Sequence, residues 1–313
     1  MGRTPIRKKS LHFRVGDQNQ NIYKTNQNQR SKRVKIYLCA ISNVSSGRCS
    51  EDCKFCTQSI KYKADIDRYY KKPVATIVEE AIRARSNGAV GFCLVTATKA
   101  LDDKTVEYLS ECAREVKKHV DDGLSLIGCA GMASIEALKE LKKAGIENYN
   151  HNLETSKDFY SNICTTHSWE DRYETCENVA KSGLNLCCGG IFGLGESDKD
   201  RTSMLESLKE LNPMSTPINF YHPNEALPLT NQTLDAEEAF TWIAKTREYL
   251  PNTMLMVAGG REITFKDRQY EIFEHGANSM IIGDYLTTHG QAAKADLEKI
   301  EQLGHELALS CHE

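Results

Sequence analysis

The sequence has no long hydrophobic run: its apolar stretches, such as 254–258 and 280–283, are strand-sized, far short of the ~20 residues that cross a bilayer. No secretory h-region is visible either, so a reducing, cytosolic setting is expected. The body has no Lys/Arg stripe interleaved with aromatics, which argues against a nucleic-acid binder. The nine histidines show no ligand pattern and no Ser/His/Asp set is apparent, so hydrolytic chemistry has no support. With 313 residues, 40% hydrophobic and 27% charged, the chain is neither disordered nor collagen-like and buries one large core or two ordinary ones.

Charge is nearly balanced, 40 Lys and Arg against 43 Asp and Glu, but unevenly placed. Residues 1–34 are rich in Gln, Asn, Lys and Arg, with apolar residues too scattered to give a helical or strand period, and are expected to be a disordered basic extension. Three readings of it stay open: a solvated tail, a transit peptide, or upstream sequence included by a misplaced start, since bacteria can initiate at a valine codon such as that of Val34. Residues 35–313 are expected to form a single domain.

From Lys35 onward, short β-rich runs alternate with amphipathic helices. The spacing predicts strands at 35–42, 90–95, 124–129, 146–151, 184–188, 216–221, 253–258 and 278–282. Helices are predicted at 74–87, 102–119, 134–144, 168–182, 198–211, 235–249, 266–275 and 294–308. Four of these helices run into a glycine (Gly88, Gly145, Gly183, Gly276) just before the next strand. Asp235 and Glu238 have capping-box spacing. Eight βα units imply a parallel sheet, and eight is the number that closes into a (β/α)8 TIM-type barrel, an open doubly wound sheet being the alternative. Either architecture puts the chemistry at the carboxyl ends of the strands.

Cysteine is what the sequence has in excess, twelve in all. Cys49, Cys53 and Cys56 form C-x3-C-x2-C in the loop after the first strand. Three thiolates on one tight loop can hold three irons of a [4Fe–4S] cluster and leave the fourth open. Zinc is the rival, but it would want a fourth ligand, and the sequence places neither a second CxxC nor a His beside the loop. Cys39, Cys112, Cys164, Cys176 and Cys311 stand singly and are expected to be packing residues.

This motif after the first strand of a βα barrel resembles the radical S-adenosylmethionine (AdoMet) superfamily. The stretches CSEDCKFCTQS (49–59), YNHNLETS (149–156), CCGGIFGLGE (187–196), PINF (217–220), AGGRE (258–262) and GDYLTT (283–288) narrow the resemblance to the biotin synthase family, over nearly all of 35–313. It implies conversion of dethiobiotin to biotin by radical sulfur insertion, with a [4Fe–4S] cluster on Cys49, Cys53 and Cys56 chelating AdoMet at the barrel mouth. It also implies an auxiliary [2Fe–2S] cluster in the lumen, on Cys93, Cys187, Arg261 and a cysteine of the third strand. There the sequence departs from the family: Ile127 stands at the matching position, and the available thiol is Cys129, two residues on and so facing the same side. Cys188 is a further thiol facing the opposite way.

The resemblance places Phe55 beside the adenine, Glu154 on the ribose hydroxyls and Arg172 near the AdoMet carboxylate, or else in a surface ion pair. Asn150, Asn152 and Asn219 would contact dethiobiotin or AdoMet, their amides matching a ureido ring's carbonyl and N–H groups. Gly189 and Gly190 would let the backbone approach the cofactor, and Thr287 and Thr288 would receive the substrate carboxylate. A flavodoxin or ferredoxin donor and a cytoplasmic homodimer are also implied. The rivals are another radical AdoMet barrel, of hydrogenase-maturation or methylornithine-forming type, a non-catalytic iron–sulfur carrier, and a zinc-stabilised binding barrel.

Overall fold

The computed structural model describes residues 33–283 and 292–313. Its first strand, β1 (Lys35–Asn43), is buried on both faces, as a strand in a parallel sheet covered by helices must be. There follow β2 (Gly91–Val95), β3 (Ser125–Cys129), β4 (Asn148–Asn150), β5 (Asn185–Cys187), β6 (Gly190–Phe192), β7 (Ser215–Phe220), β8 (Met254–Val257), β9 (Ser279–Ile281) and β10 (Glu306–Leu307). All named strands pair in parallel, in the order β1-β2-β3-β4-β5-β7-β8-β9, and β9 returns to β1. Cys187 pairs with Ser215 and Gly190 with Ile218 in one register, so β5 and β6 are two halves of a single barrel strand. The sheet is therefore the closed eight-stranded barrel the repeats imply.

The helices are α1 (Val74–Ser86), α2 (Asp103–His119), α3 (Ile135–Lys143), α4 (Trp169–Ser182), α5 (Asp198–Leu211), α6 (Ala236–Tyr249), α7 (Arg261–Phe265) and α8 (Ala293–Gln302). Their apolar stripes close over the outward strand residues: Leu109, Ala113 and Val116 of α2 share one core with Phe92, Leu94 and Leu126. Capping boxes start α4 (Ser168 with Asp171) and α5 (Ser197 with Asp200). Asp235 caps α6, but Glu238 does not complete the box and instead accepts from Arg201 at 2.5 Å.

Two predicted helices are corrected. The helix expected at 266–275 is two single 3-10 turns, Lys266–Arg268 and Glu271–Phe273, because the helical segment starts earlier, at Arg261, and Lys266 breaks it with φ +52°. The last helix stops at Gln302 rather than 308. Gly304 turns the chain at φ +76°, and Glu306–Leu307 joins the sheet beside Lys35 and Ile36. This return places Ala308 at the base of the lumen with Tyr37, Val90 and Met254. The basic extension, apart from its last two residues, lies outside the described residues.

Candidate active site

The loop after β1 folds on itself at the barrel mouth. The Cys49 N–H donates to the Gln58 carbonyl at 3.1 Å, Ile60 N–H returns to the Cys49 carbonyl at 2.9 Å, and Cys56 N–H closes a turn on Cys53 at 3.0 Å. The Gln58 side chain pins the loop's start by accepting from Gly47 N–H at 2.5 Å. Cys49, Cys53, Phe55 and Cys56 thereby line one cavity of about 400 Å³ at the carboxyl ends of the strands. Phe55 packs at its wall with Tyr160, Leu194 and Tyr221.

A second loop grips the first. Asp52 accepts from Thr165 N–H at 2.9 Å, from Thr166 N–H at 3.2 Å and from the Thr166 hydroxyl at 3.0 Å. Burial works against its charge, but these bonds outweigh it and hold its carboxyl well below the usual range. The same loop brings the Cys164 sulfur to 3.7 Å from that of Cys53, and the three ligand atoms of Cys53, Cys164 and His167 lie within 4.8 Å of one another. The expectation that no His lies beside the cysteine loop is thus corrected, and Cys164, expected to be a packing residue, lies there with it. His167, however, has both nitrogens engaged, Nδ1 with Glu51 at 2.6 Å and Nε2 with the Tyr160 hydroxyl at 2.8 Å.

Across the mouth, Glu154 sits at the end of the fourth unit with φ +67°, a conformation costing a non-glycine residue roughly 1–2 kcal/mol. Arg172 of α4 reaches inward to it: Nη2 is 3.0 Å from Glu154 Oε1, Nε donates to the Asn152 carbonyl at 2.5 Å, and Nη1 meets His167 at 3.2 Å. Both members of the pair are largely buried, so Arg172 is no surface residue. Burial, only partly offset by Arg172, pushes the Glu154 carboxyl up. Its other oxygen, Oε2, is buried without a hydrogen-bond partner, as is Asn150 Oδ1. Both belong to residues lining the cavity. By contrast, Asn219 is spent on the backbone, accepting from Gly259 at 2.9 Å and donating to Gly190 at 3.2 Å, and Asn152 accepts from Gly189 at 3.2 Å.

Below the cavity floor the lumen is lined with thiols. Cys93, Ile127 and Cys187 pack together there with the half-buried Cys129. Asn150 donates to the Cys129 sulfur at 3.4 Å, and Cys129 packs against the cluster that holds Cys93 and Cys187. Burial pushes the Cys187 thiol up to about 12. Cys188 faces α4, its sulfur 3.6 Å from that of Cys176.

Arg261 lies elsewhere. It is the first residue of α7, turned away from the lumen by Gly260 at φ +83°. There it is buried against Asp296 of α8, with Nη2 3.3 Å from each carboxylate oxygen, and Nη1 donates to Gln269 at 2.5 Å.

The comparisons with known proteins agree with this arrangement. The Radical SAM superfamily model matches residues 43–208, and the Biotin and Thiamin Synthesis associated domain matches 217–306. Biotin synthase of Aliarcobacter butzleri is 61% identical over 279 residues, covering 89% of this chain and 99% of that one. The chain belongs to the biotin synthase family. Biotin synthase of Nitratiruptor is 58% identical over 280 residues, covering 90% of this chain and 100% of its own length. Among solved structures, the hydrogenase maturase HydG of Carboxydothermus hydrogenoformans superposes with a TM-score of 0.76 at 18% identity, over 89% of this chain and 69% of that one. Methylornithine synthase gives 0.72 at 16%, over 88% and 84%. At such identities these two speak for the barrel alone.

A radical SAM enzyme of this family works with a [4Fe–4S] cluster and AdoMet, and the mouth suits both: three thiols on one loop for the cluster, and two orphaned acceptor oxygens for a ligand rich in hydroxyl and amine donors. Of the four residues expected to hold an auxiliary cluster, the thiols of Cys93, Cys129 and Cys187 meet in the lumen and Arg261 does not join them. The assignment of Arg261 is corrected on geometry: its guanidinium is held by Asp296 on the far side of the strand. Gly189 and Gly190 also have another role. A Cβ on Gly189 would stand 1.8 Å from the Pro217 carbonyl, and one on Gly190 2.3 Å from the Met204 sulfur, so both serve packing within the barrel. Thr287 and Thr288 lie outside the described residues. Sequence reasoning overlooked Asp52, which sits inside the cysteine motif, and Cys164 and His167, which only the fold brings to the cysteine loop; no spacing signal links those two to it.

Proposed function

We propose that the chain catalyses AdoMet-dependent radical insertion of sulfur between two unactivated carbons of dethiobiotin, completing biotin. The observation that carries this reading is vertical continuity: the C-x3-C-x2-C loop and the Glu154–Arg172 pair line the same cavity as Cys129, which packs in turn against the lumen cluster of Cys93 and Cys187. When bound, the [4Fe–4S] cluster with AdoMet supplies a hydrogen-abstracting radical, and an auxiliary [2Fe–2S] cluster supplies the sulfur.

The chain's own residues position and enclose. Cys49, Cys53 and Cys56 would hold the mouth cluster, and Phe55 offers an aromatic face to the adenine. Glu154 Oε2, buried without a hydrogen-bond partner, would accept from the ribose hydroxyls, while three of the five Arg172 N–H donors are used within the chain, which would leave donors for the AdoMet carboxylate. Asn150 Oδ1 is an acceptor for a ureido N–H of the substrate. Asn152 and Asn219 act through the backbone they brace. Thr287 and Thr288 are assigned to the substrate carboxylate by likeness alone. A flavodoxin or ferredoxin donor, a homodimeric state and a cytoplasmic location belong to the same proposal; among the described residues no helix is long and apolar enough to cross a membrane.

The test is product analysis. The anaerobically reconstituted chain, given AdoMet, dethiobiotin and a reductant, is expected to yield 5′-deoxyadenosine and biotin together. Deoxyadenosine without biotin, at verified occupancy of both clusters, would refute the substrate and leave the radical chemistry.

A further inference from the structure

This inference rests on the proposed auxiliary cluster and concerns what replaces its arginine. The register identifies the side chains level with Cys187. Barrel strands tilt, so each level is built from alternate strands, with a one-residue offset per strand in an eight-stranded barrel. Traced that way from Cys187 through β4, β3 and β2, the level passes Ile127 and reaches β1 at Cys39. Traced the other way, through β7, β8 and β9, it passes Met256 and again arrives at Cys39. Cys93 belongs to the next level up and Cys129 to the one above it.

The Cys39 side chain points inward, packed with Met256, Ala258 and Ile281. Its sulfur is accommodated by a missing side chain: a Cβ on Gly91 would stand 2.6 Å from it. Cys93 and Cys187 share one cluster with Cys129 packed against it, and Ile41 touches both that cluster and the one that holds Cys39. We propose that Cys39 is the fourth ligand of the auxiliary iron–sulfur cluster, completing an all-thiolate set with Cys93, Cys129 and Cys187. The remaining side chains at the Cys187 level, Ile127 and Met256, carry no thiolate, and iron–sulfur clusters are held by four cysteine thiolates as a rule. A thiolate in place of a guanidinium also makes the cluster more negative and therefore harder to reduce.

The test isolates this cluster. In a parent carrying Cys49→Ala, Cys53→Ala and Cys56→Ala, iron taken up on anaerobic reconstitution belongs to the lumen, and iron per chain, absorption and Mössbauer spectra report it. Adding Cys39→Ala is expected to lose most of that iron, and Cys39→Ser to retain part with an altered spectrum. Arg261→Met is expected to keep both iron and spectrum. Far-UV circular dichroism and melting of the metal-free chains verify that each variant folds. Full iron and an unchanged spectrum in a folded Cys39→Ala chain would overturn the assignment, as would loss of iron in a folded Arg261→Met chain. A parent that takes up no iron would instead overturn the auxiliary cluster itself, and this ligand with it.

Discussion

Replacing Arg261 by Met separates a structural arginine from a liganding one. The Arg261 and Asp296 side chains are 1% and 0% exposed, and the Tyr270 hydroxyl donates to the same carboxylate at 2.7 Å. Removing one member of a buried pair costs about 3–5 kcal/mol, because the other charge is left without its partner. Here the N–O distances of 3.3 Å are long for charge-assisted bonds, and Tyr270 stays, so the lower end, about 3 kcal/mol, is expected. For a domain of this size that is a fall in Tm of roughly 6–12 °C. The effect is also pH-dependent. Burial, partly offset by Arg261, already raises the Asp296 pKa, and losing Arg261 raises it further. A carboxyl whose folded pKa is raised destabilises the fold above its unfolded pKa, and the penalty grows until pH passes the folded value. The gap between native and variant chains is therefore widest at neutral to alkaline pH and narrows as pH falls toward about 4. Adding Asp296→Leu should recover much of the loss. Denaturant titration of the metal-free, reduced chains at several pH values measures all three. An Arg261→Met chain as stable as the native one at pH 8, yet unable to bind lumen iron, would refute the reasoning and restore the arginine as ligand.

Glu154→Gln keeps the shape but turns a charged acceptor into a neutral one; bonds to charged groups exceed neutral ones by about 1–1.5 kcal/mol, so AdoMet binding by equilibrium dialysis should weaken roughly 5- to 13-fold. An unchanged Kd would remove Glu154 from the cofactor site. Cys53→Ala should abolish AdoMet cleavage, whereas Cys187→Ala should leave deoxyadenosine formation and block biotin; full biotin from Cys187→Ala would void the lumen assignment. Asp52, whose carboxyl is held low by the 165–166 loop, contributes stability that is present above about pH 4 and lost as pH falls toward its folded pKa. Asp52→Asn should therefore be less stable than the native chain at pH 7, with the difference shrinking under acid, as followed by denaturant unfolding.

The barrel was legible because its signals are local. Strand parity and glycine-terminated helices repeat unit by unit, and all four joint glycines have positive φ, from 81° to 106°. The cysteine loop was legible for the same reason: its three thiols lie within one turn-rich stretch. Arg261 was misread because motif likeness locates it just past β8 without saying which way the chain turns, and Gly260 turns it outward. Asn150, Asn152 and Asn219 looked alike as ligand contacts, yet Asn219 and Asn152 brace backbone at strand ends whereas Asn150 keeps a free oxygen, a distinction that depends on neighbours from other units. Cys39 looked like a packing residue because its level in the lumen emerges only when register is followed around the closed sheet. Arg172 and Glu154, eighteen residues apart, meet because α4 folds back over the end of its own unit.

The central claim is that the thiols of the lumen hold the sulfur that enters the substrate. Reconstituting the chain anaerobically with heavy-isotope sulfide, removing the excess, and running the reaction with AdoMet, dethiobiotin and reductant tests it directly by mass spectrometry of the biotin formed. The account predicts heavy sulfur in the first biotin released, and no biotin at all from Cys187→Ala. Biotin carrying only light sulfur would contradict it.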